Sequence, residues 1–146
     1  MTTQYFNVSI NATKERVWEV LWSNETYPAW TSAFAEGSRA ETDWQKGSKV
    51  LFLDGNGMGM VSTIADLVTN EFMSFKHLGV VKDGVEDTES EKVKGWAGAH
   101  ENYRLAQKGN TTELSVELDI NDEFKDYFIN TFPVALNKVK EISEKR

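Results

Sequence analysis

Along the chain the spacing of apolar positions changes three times, and each change marks a new kind of element. Phe6, Val8 and Ile10 alternate with Asn7, Ser9 and Asn11, which predicts a half-buried strand. Thr13 then stands as an N-cap before an acidic first turn. Behind it Val17, Val20 and Leu21 form one helical stripe, and Trp18 and Trp22, four residues apart, form an aromatic edge. Asn24 is placed to cap a second short helix with Pro28 near its start, where a missing N–H is tolerated. Trp30 and Phe34 are again four apart, and Gly37 closes the segment.

The pattern next returns to period two. Residues 50–53 read as a short strand, and Asp54-Gly55-Asn56-Gly57 as a turn. Residues 58–68 read as the returning strand, and 71 to about 81 as the next. Residues 82–95 hold five acids and three lysines against only Val85 and Val93, so a long solvated loop is expected, mobile enough to gate a pocket. Alternation resumes at Ala99, Glu101, Tyr103 and Leu105, turns at Gly109-Asn110, and is cleanest at Leu114, Val116, Leu118 and Ile120. From Asn121 the period is helical, through Phe124, Phe128, Thr131, Phe132, Ala135, Val139 and Ile142. This helix of about 23 residues would run roughly 35 Å, with a kink expected at Pro133. The order predicts an α+β fold: a curved antiparallel sheet of about six to seven strands, with two short helices after the first strand and a long C-terminal helix covering one face. The wedge between helix and sheet is a natural pocket.

Composition narrows the function. The 146 residues fit one domain, 1–146. A formal net charge of -7 argues against nucleic acid and anionic membrane surfaces as partners. With no Cys and only His77 and His100, neither a metal site nor a thiol nucleophile is expected, and no cofactor motif is present. No signal segment or membrane-length apolar run is visible, so a cytoplasmic location is expected. Gly55-x-Gly57-x-Gly59 lacks the helix that a phosphate loop needs, and no Gly-x-Ser-x-Gly elbow occurs.

Val17-Trp18, Leu21 and Tyr27-Pro28-x-Trp30, followed by an apolar C-terminal helix, give the chain a recognisable signature. It resembles the START-like, helix-grip superfamily (SRPBCC), and within it single-domain bacterial proteins similar to the activator of the heat-shock protein 90 ATPase. The resemblance implies the helix-grip fold and a cavity for a small hydrophobic or amphipathic ligand. It also implies two alternatives: a protein-interaction module with a chaperone as partner, and a cyclase- or hydrolase-type enzyme using the same cavity. Catalysis is the less favoured, since no catalytic motif is visible.

The expected lining follows from the periodicities. The helix would contribute Phe128, Thr131 and Ala135, and the sheet Phe52, Met60, Met73, Phe75 and Tyr103. Trp30 and Trp96 would stand at the entrance, and His77 and Glu101 would orient a polar head group. Alternation puts Met73, Phe75 and His77 on one face of their strand, and Glu101, Tyr103 and Leu105 on one face of theirs. One antiparallel register pairs His77 directly with Glu101, either as a functional acid–base pair or as an ordinary cross-strand contact.

Overall fold

A computed structural model describes residues 1–145. The opening alternation forms β1 (Thr2–Ile10). Thr13 caps α1 (Lys14–Trp22), its side chain accepting the Arg16 N–H. The next helix, α2 (Tyr27–Thr31), departs from expectation at its start. Its N-cap is Thr26 rather than Asn24, and the Thr26 hydroxyl instead donates to the Val20 carbonyl at 2.6 Å, tying α2 to α1. Trp30 Nε1 donates to the Leu21 carbonyl at 3.1 Å. These two bonds give the Leu21…Tyr27-Pro28-x-Trp30 signature its physical meaning: it fixes the corner between two short helices.

The strands that follow are β2 (Arg39–Glu41), β3 (Lys49–Leu53), β4 (Met58–Val68), β5 (Phe72–Lys82), β6 (Val85–Asp87), β7 (His100–Lys108) and β8 (Thr111–Ile120). They make one antiparallel sheet of eight, in the order β1-β8-β7-β5-β4-β3-β2, with β6 added on β5. The pattern analysis missed β2 and β6, each only three residues long. The acidic stretch 82–95 is therefore not a featureless loop. It carries β6 and a short helix α3 (Glu91–Lys94) capped by Ser90, with Val93 buried beneath it.

A 3₁₀ turn (Asp122–Phe124) leads into α4 (Lys125–Glu144). The helix runs unbroken through Pro133, which lies on its exposed side. It packs on β1, α1 and α2. Phe132 stacks on Phe6 at 5.0 Å and meets Phe34 edge-on at 4.9 Å. The long helix thus covers one end of the sheet, and the middle of the concave face is filled by α1 and α2. Trp22 meets Phe75 and Tyr103 edge-on at 5.3 and 5.0 Å. Among the described residues, no helix is long and apolar enough to cross a membrane.

Two irregularities shape the concave face. In the β4–β5 pairing Leu78 and Ala65 have no partner, so each strand carries a bulge. The Leu78 bulge pairs Ser62 with His77 while Met60 pairs with Val80. Between β5 and β7 the register is Met73↔Tyr103 and Phe75↔Glu101, two residues from the alignment expected. A shift of two keeps every side chain on its face, so the hydrophobic pattern cannot distinguish the two registers.

Candidate functional site

Three strands bring four polar side chains together on the concave face. Ser62 comes from β4, His77 from β5, and Glu101 and Tyr103 from β7. Ser62 Oγ lies 2.6 Å from His77 Nδ1, and His77 Nε2 lies 3.0 Å from Glu101 Oε1. The Tyr103 hydroxyl donates to Glu101 Oε2. A carboxylate oxygen accepts, so Nε2 is the donor to Glu101, and Nδ1 and the Ser62 hydroxyl share the remaining hydrogen bond. The result is a continuous hydrogen-bonded chain from Ser62 through His77 to Glu101, joined from the other side by Tyr103. The His77–Glu101 contact forms although Phe75, not His77, is the direct partner of Glu101, because the diagonal neighbour is within reach of a long side chain.

The chain is nearly sealed. Ser62 has no exposed surface and His77 is 5% exposed, whereas the Glu101 side chain keeps 20%. Only the carboxylate end of the network therefore meets solvent. Ser62 sits in the geometry of a serine–histidine–carboxylate relay, but with no exposed surface it holds the imidazole in place rather than offering a nucleophile.

Around this chain stands a shell of aromatic rings. Phe52 meets Phe75 edge-on at 5.0 Å and the His77 ring at 6.1 Å. Tyr27 packs against Trp30, Trp44 and Phe52 at 5.5, 6.0 and 6.3 Å. Trp44 lies 5.5 Å from Trp22. Burial, reinforced by the Glu101 charge, holds the Tyr27 and Tyr103 hydroxyls well above the ordinary phenol range, so both remain donors.

The sequence-predicted lining divides. Trp30, Phe52, Phe75, His77, Glu101 and Tyr103 come together, with Met73 buried beside Tyr103 as its strand partner. Trp30 is 1% exposed, so it is a core ring and not part of an entrance. Met60 pairs with Phe52 and is half-buried toward the far end of β4. Phe128 belongs to a separate ring group with Phe34 and Phe132, at 6.3 and 6.1 Å. Thr131 is half-buried on the same helix, and Ala135 is fully buried in the core. Trp96 is half-buried just beyond α3. Helix and sheet contributions thus fall into different groups, because α1 and α2 stand between them. Two open grooves, of about 210 and 170 Å³, lie elsewhere: one on the outer face near Tyr5, Asn102 and Arg104, the other between β1 and Leu136 of α4.

Residues that pattern reading did not assign to the site are Ser62, Trp22, Tyr27 and Trp44. Parity with Met60 puts Ser62 inward, but its pairing with His77 depends on the bulge at Leu78. Trp44 sits in an irregular loop where no periodicity operates. Among the described residues no cluster of three or more His, Asp or Glu side chains could hold a metal ion.

A family model described as activator of Hsp90 ATPase homolog 1-like protein matches residues 11–127. No curated protein matches the sequence. Among solved structures, the Aha1 dimer from Colwellia psychrerythraea is similar at a TM-score of 0.75 and 16% identity, covering 99% of this chain and 97% of that one. Protein CV1439 from Chromobacterium violaceum gives 0.73 and 17%, covering 100% of both. CalU16 from Micromonospora echinospora gives 0.68 and 13%, covering 97% of this chain and 76% of its own. At these identities the likeness is one of fold, and the fold is the helix-grip fold of the START-like superfamily.

Proposed function

The chain belongs to the activator of Hsp90 ATPase homolog 1-like family, a membership that supports a binding or interaction module in general, and on that footing we propose that the concave face binds a small amphipathic ligand. The apolar part of the ligand lies among the rings of Trp22, Tyr27, Trp44 and Phe52, and its polar head meets Glu101. The observation carrying this reading is the sealed Ser62–His77–Glu101–Tyr103 network, which opens to solvent only at the carboxylate. A few convergent polar groups inside an aromatic wall are the usual make-up of a small-molecule site. Glu101 already accepts two bonds and has room for more, so it can take a hydroxyl or amine proton from a ligand. Catalysis is not part of the reading, since the one hydroxyl beside the imidazole has no exposed surface.

The test is organic extraction of the purified protein followed by mass spectrometry. A small molecule in near-equal molar amount with the parent, and depleted with Glu101→Gln, is the expected result. Equal recovery from both proteins would remove Glu101 from the site. Recovery from neither, with a protein partner captured instead, would favour the interaction module.

A further inference from the structure

Two indole N–H groups in the aromatic shell lack a hydrogen-bond acceptor among the described residues: Trp22 Nε1 and Trp44 Nε1. Both atoms are buried, and Trp22 as a whole is 6% exposed. The neighbouring Trp30 shows that the fold can satisfy an indole here, because its Nε1 donates to the Leu21 carbonyl. A buried donor with no acceptor is costly, and native proteins rarely keep one without cause. The two rings face one another at 5.5 Å with a 45° tilt, and a ring face is a poor substitute for an oxygen acceptor.

Trp44 has a second peculiarity. Its φ is 58°, in the left-handed region that a bulky residue rarely adopts. It is also only half-buried, and it covers Trp22, Tyr27 and Phe75 at 5.5, 6.0 and 6.4 Å. The loop that carries it joins β2 to β3. Moving the Trp44 ring outward would expose its N–H to solvent and uncover the Trp22 ring. What opposes the movement is the loss of ring contacts, which an incoming ring restores.

Resting on the ligand-binding reading above, but adding a polar contact at Trp22 distinct from the one at Glu101, the geometry points to a site beneath Trp44 for a neutral aromatic molecule bearing a carbonyl oxygen, which accepts the Trp22 N–H while its ring replaces the Trp44 indole. The walls left by Trp44 are aromatic and present ring edges that suit another ring. The ligand is neutral for an electrostatic reason. Tyr103 touches Trp22 and is bonded to Glu101, so an anion would sit close to a carboxylate in a poorly screened interior. A cation would meet the positive end of the Trp22 N–H dipole.

Acetophenone and ethylbenzene test this, because they share shape and differ in the carbonyl oxygen. The five indole N–H signals are followed by ¹H–¹⁵N NMR on the full chain, with Trp22→Phe and Trp44→Phe used to identify their two signals. Acetophenone should move the Trp22 N–H downfield as it gains an acceptor, bring the Trp44 N–H into fast solvent exchange, and leave Trp30 in place. It should bind at least tenfold tighter than ethylbenzene, and a Trp22→Phe variant that stays folded should lose that preference. If both probes perturb the aromatic shell equally and Trp22 does not move downfield, the carbonyl assignment is wrong while the ligand-binding reading stands. If neither probe perturbs the shell, the site beneath Trp44 is overturned, and the extraction experiment decides the ligand-binding reading.

Discussion

Replacing Glu101 by Leu and, separately, by Gln separates a working interior network from a coincidental set of contacts. Glu101 accepts from His77 Nε2 and from the Tyr103 hydroxyl, and those partners are 5% and 1% exposed. Leu at 101 leaves the Tyr103 hydroxyl without an acceptor and one imidazole nitrogen without a partner in either tautomer. Each orphaned buried group costs about 1–3 kcal/mol. At about 2 kcal/mol for each of the two groups, with roughly 1–2 kcal/mol returned by the added apolar burial, a net loss of about 2–3 kcal/mol is expected. Gln keeps the shape. Its carbonyl accepts from Tyr103, its amide donates to Nε2, and the imidazole changes tautomer and donates to Ser62 through Nδ1. Every bond survives at the expense of a charge, and the loss should stay below about 1 kcal/mol. With a urea m-value near 2 kcal/mol/M, the midpoint should fall by about 1–1.5 M for Glu101→Leu and by less than about 0.5 M for Glu101→Gln. Equal midpoints for the two variants would refute the closed network. The Tyr103 hydroxyl gives an independent readout. In Glu101→Gln its titration should move down but stay above the ordinary phenol value, since burial is the larger cause of its upward shift and the carboxylate the second.

Other expectations follow from the same geometry. Tyr27 and Tyr103 keep their protons in the folded state at pH values where the unfolded chain loses them, so their contribution is complete below about pH 10 and falls away above it. Denaturant melts should show a flat plateau through neutral pH, and a loss approaching about 1.4 kcal/mol per pH unit for each tyrosine above pH 10; stability unchanged there would contradict the burial argument. Phe132→Ala should cost about 3–5 kcal/mol, because it empties the contact between Phe6 and Phe34, whereas half-buried Phe128→Ala should cost visibly less. The reverse order in thermal melts would misplace α4. Gly59→Ala should unfold the β3–β4 hairpin region or prevent expression, since a Cβ there would stand 1.6 Å from the Phe52 carbonyl oxygen; a well-folded variant with native circular dichroism would show that the close approach is not real.

Much of the fold was legible because amphipathic periods are local. β1, β8, α1 and α4 follow directly from which residues alternate and which recur every three or four positions. The His77–Glu101 partnership was legible for a similar reason, since parity alone places both on one face. Its register was not, because alignments that differ by two residues bury the same side chains. The partnership of Ser62 with His77 was hidden by the bulge at Leu78, an event that no run of apolar residues announces. Trp44 was hidden by the left-handed turn of its loop, where backbone shape and not sequence period aims the ring. That α4 lies against the sheet was legible, but which of its residues share the site with the sheet was not, for a different reason. The pattern identifies its apolar stripe but not which part of it meets the sheet and which the helices, and the bulky rings of Trp22 and Trp30 had already claimed the centre of the sheet.

The first strand has a consequence for how molecules of this protein behave toward each other. β1 lies at the rim of the sheet and, from Thr2 to Ile10, contains no charged residue and no proline, so its sequence offers none of the usual deterrents to recruiting a foreign strand. The guard is supplied by α4 near its end. Lys140 Nζ donates to the Ser9 carbonyl at 3.0 Å, and the Glu144 carboxylate accepts the Asn11 N–H at 2.8 Å. Those two tethers act as a latch on the strand's C-terminal end. Clipping the chain ahead of Lys140 would remove both tethers and leave the rim strand open to edge-to-edge addition.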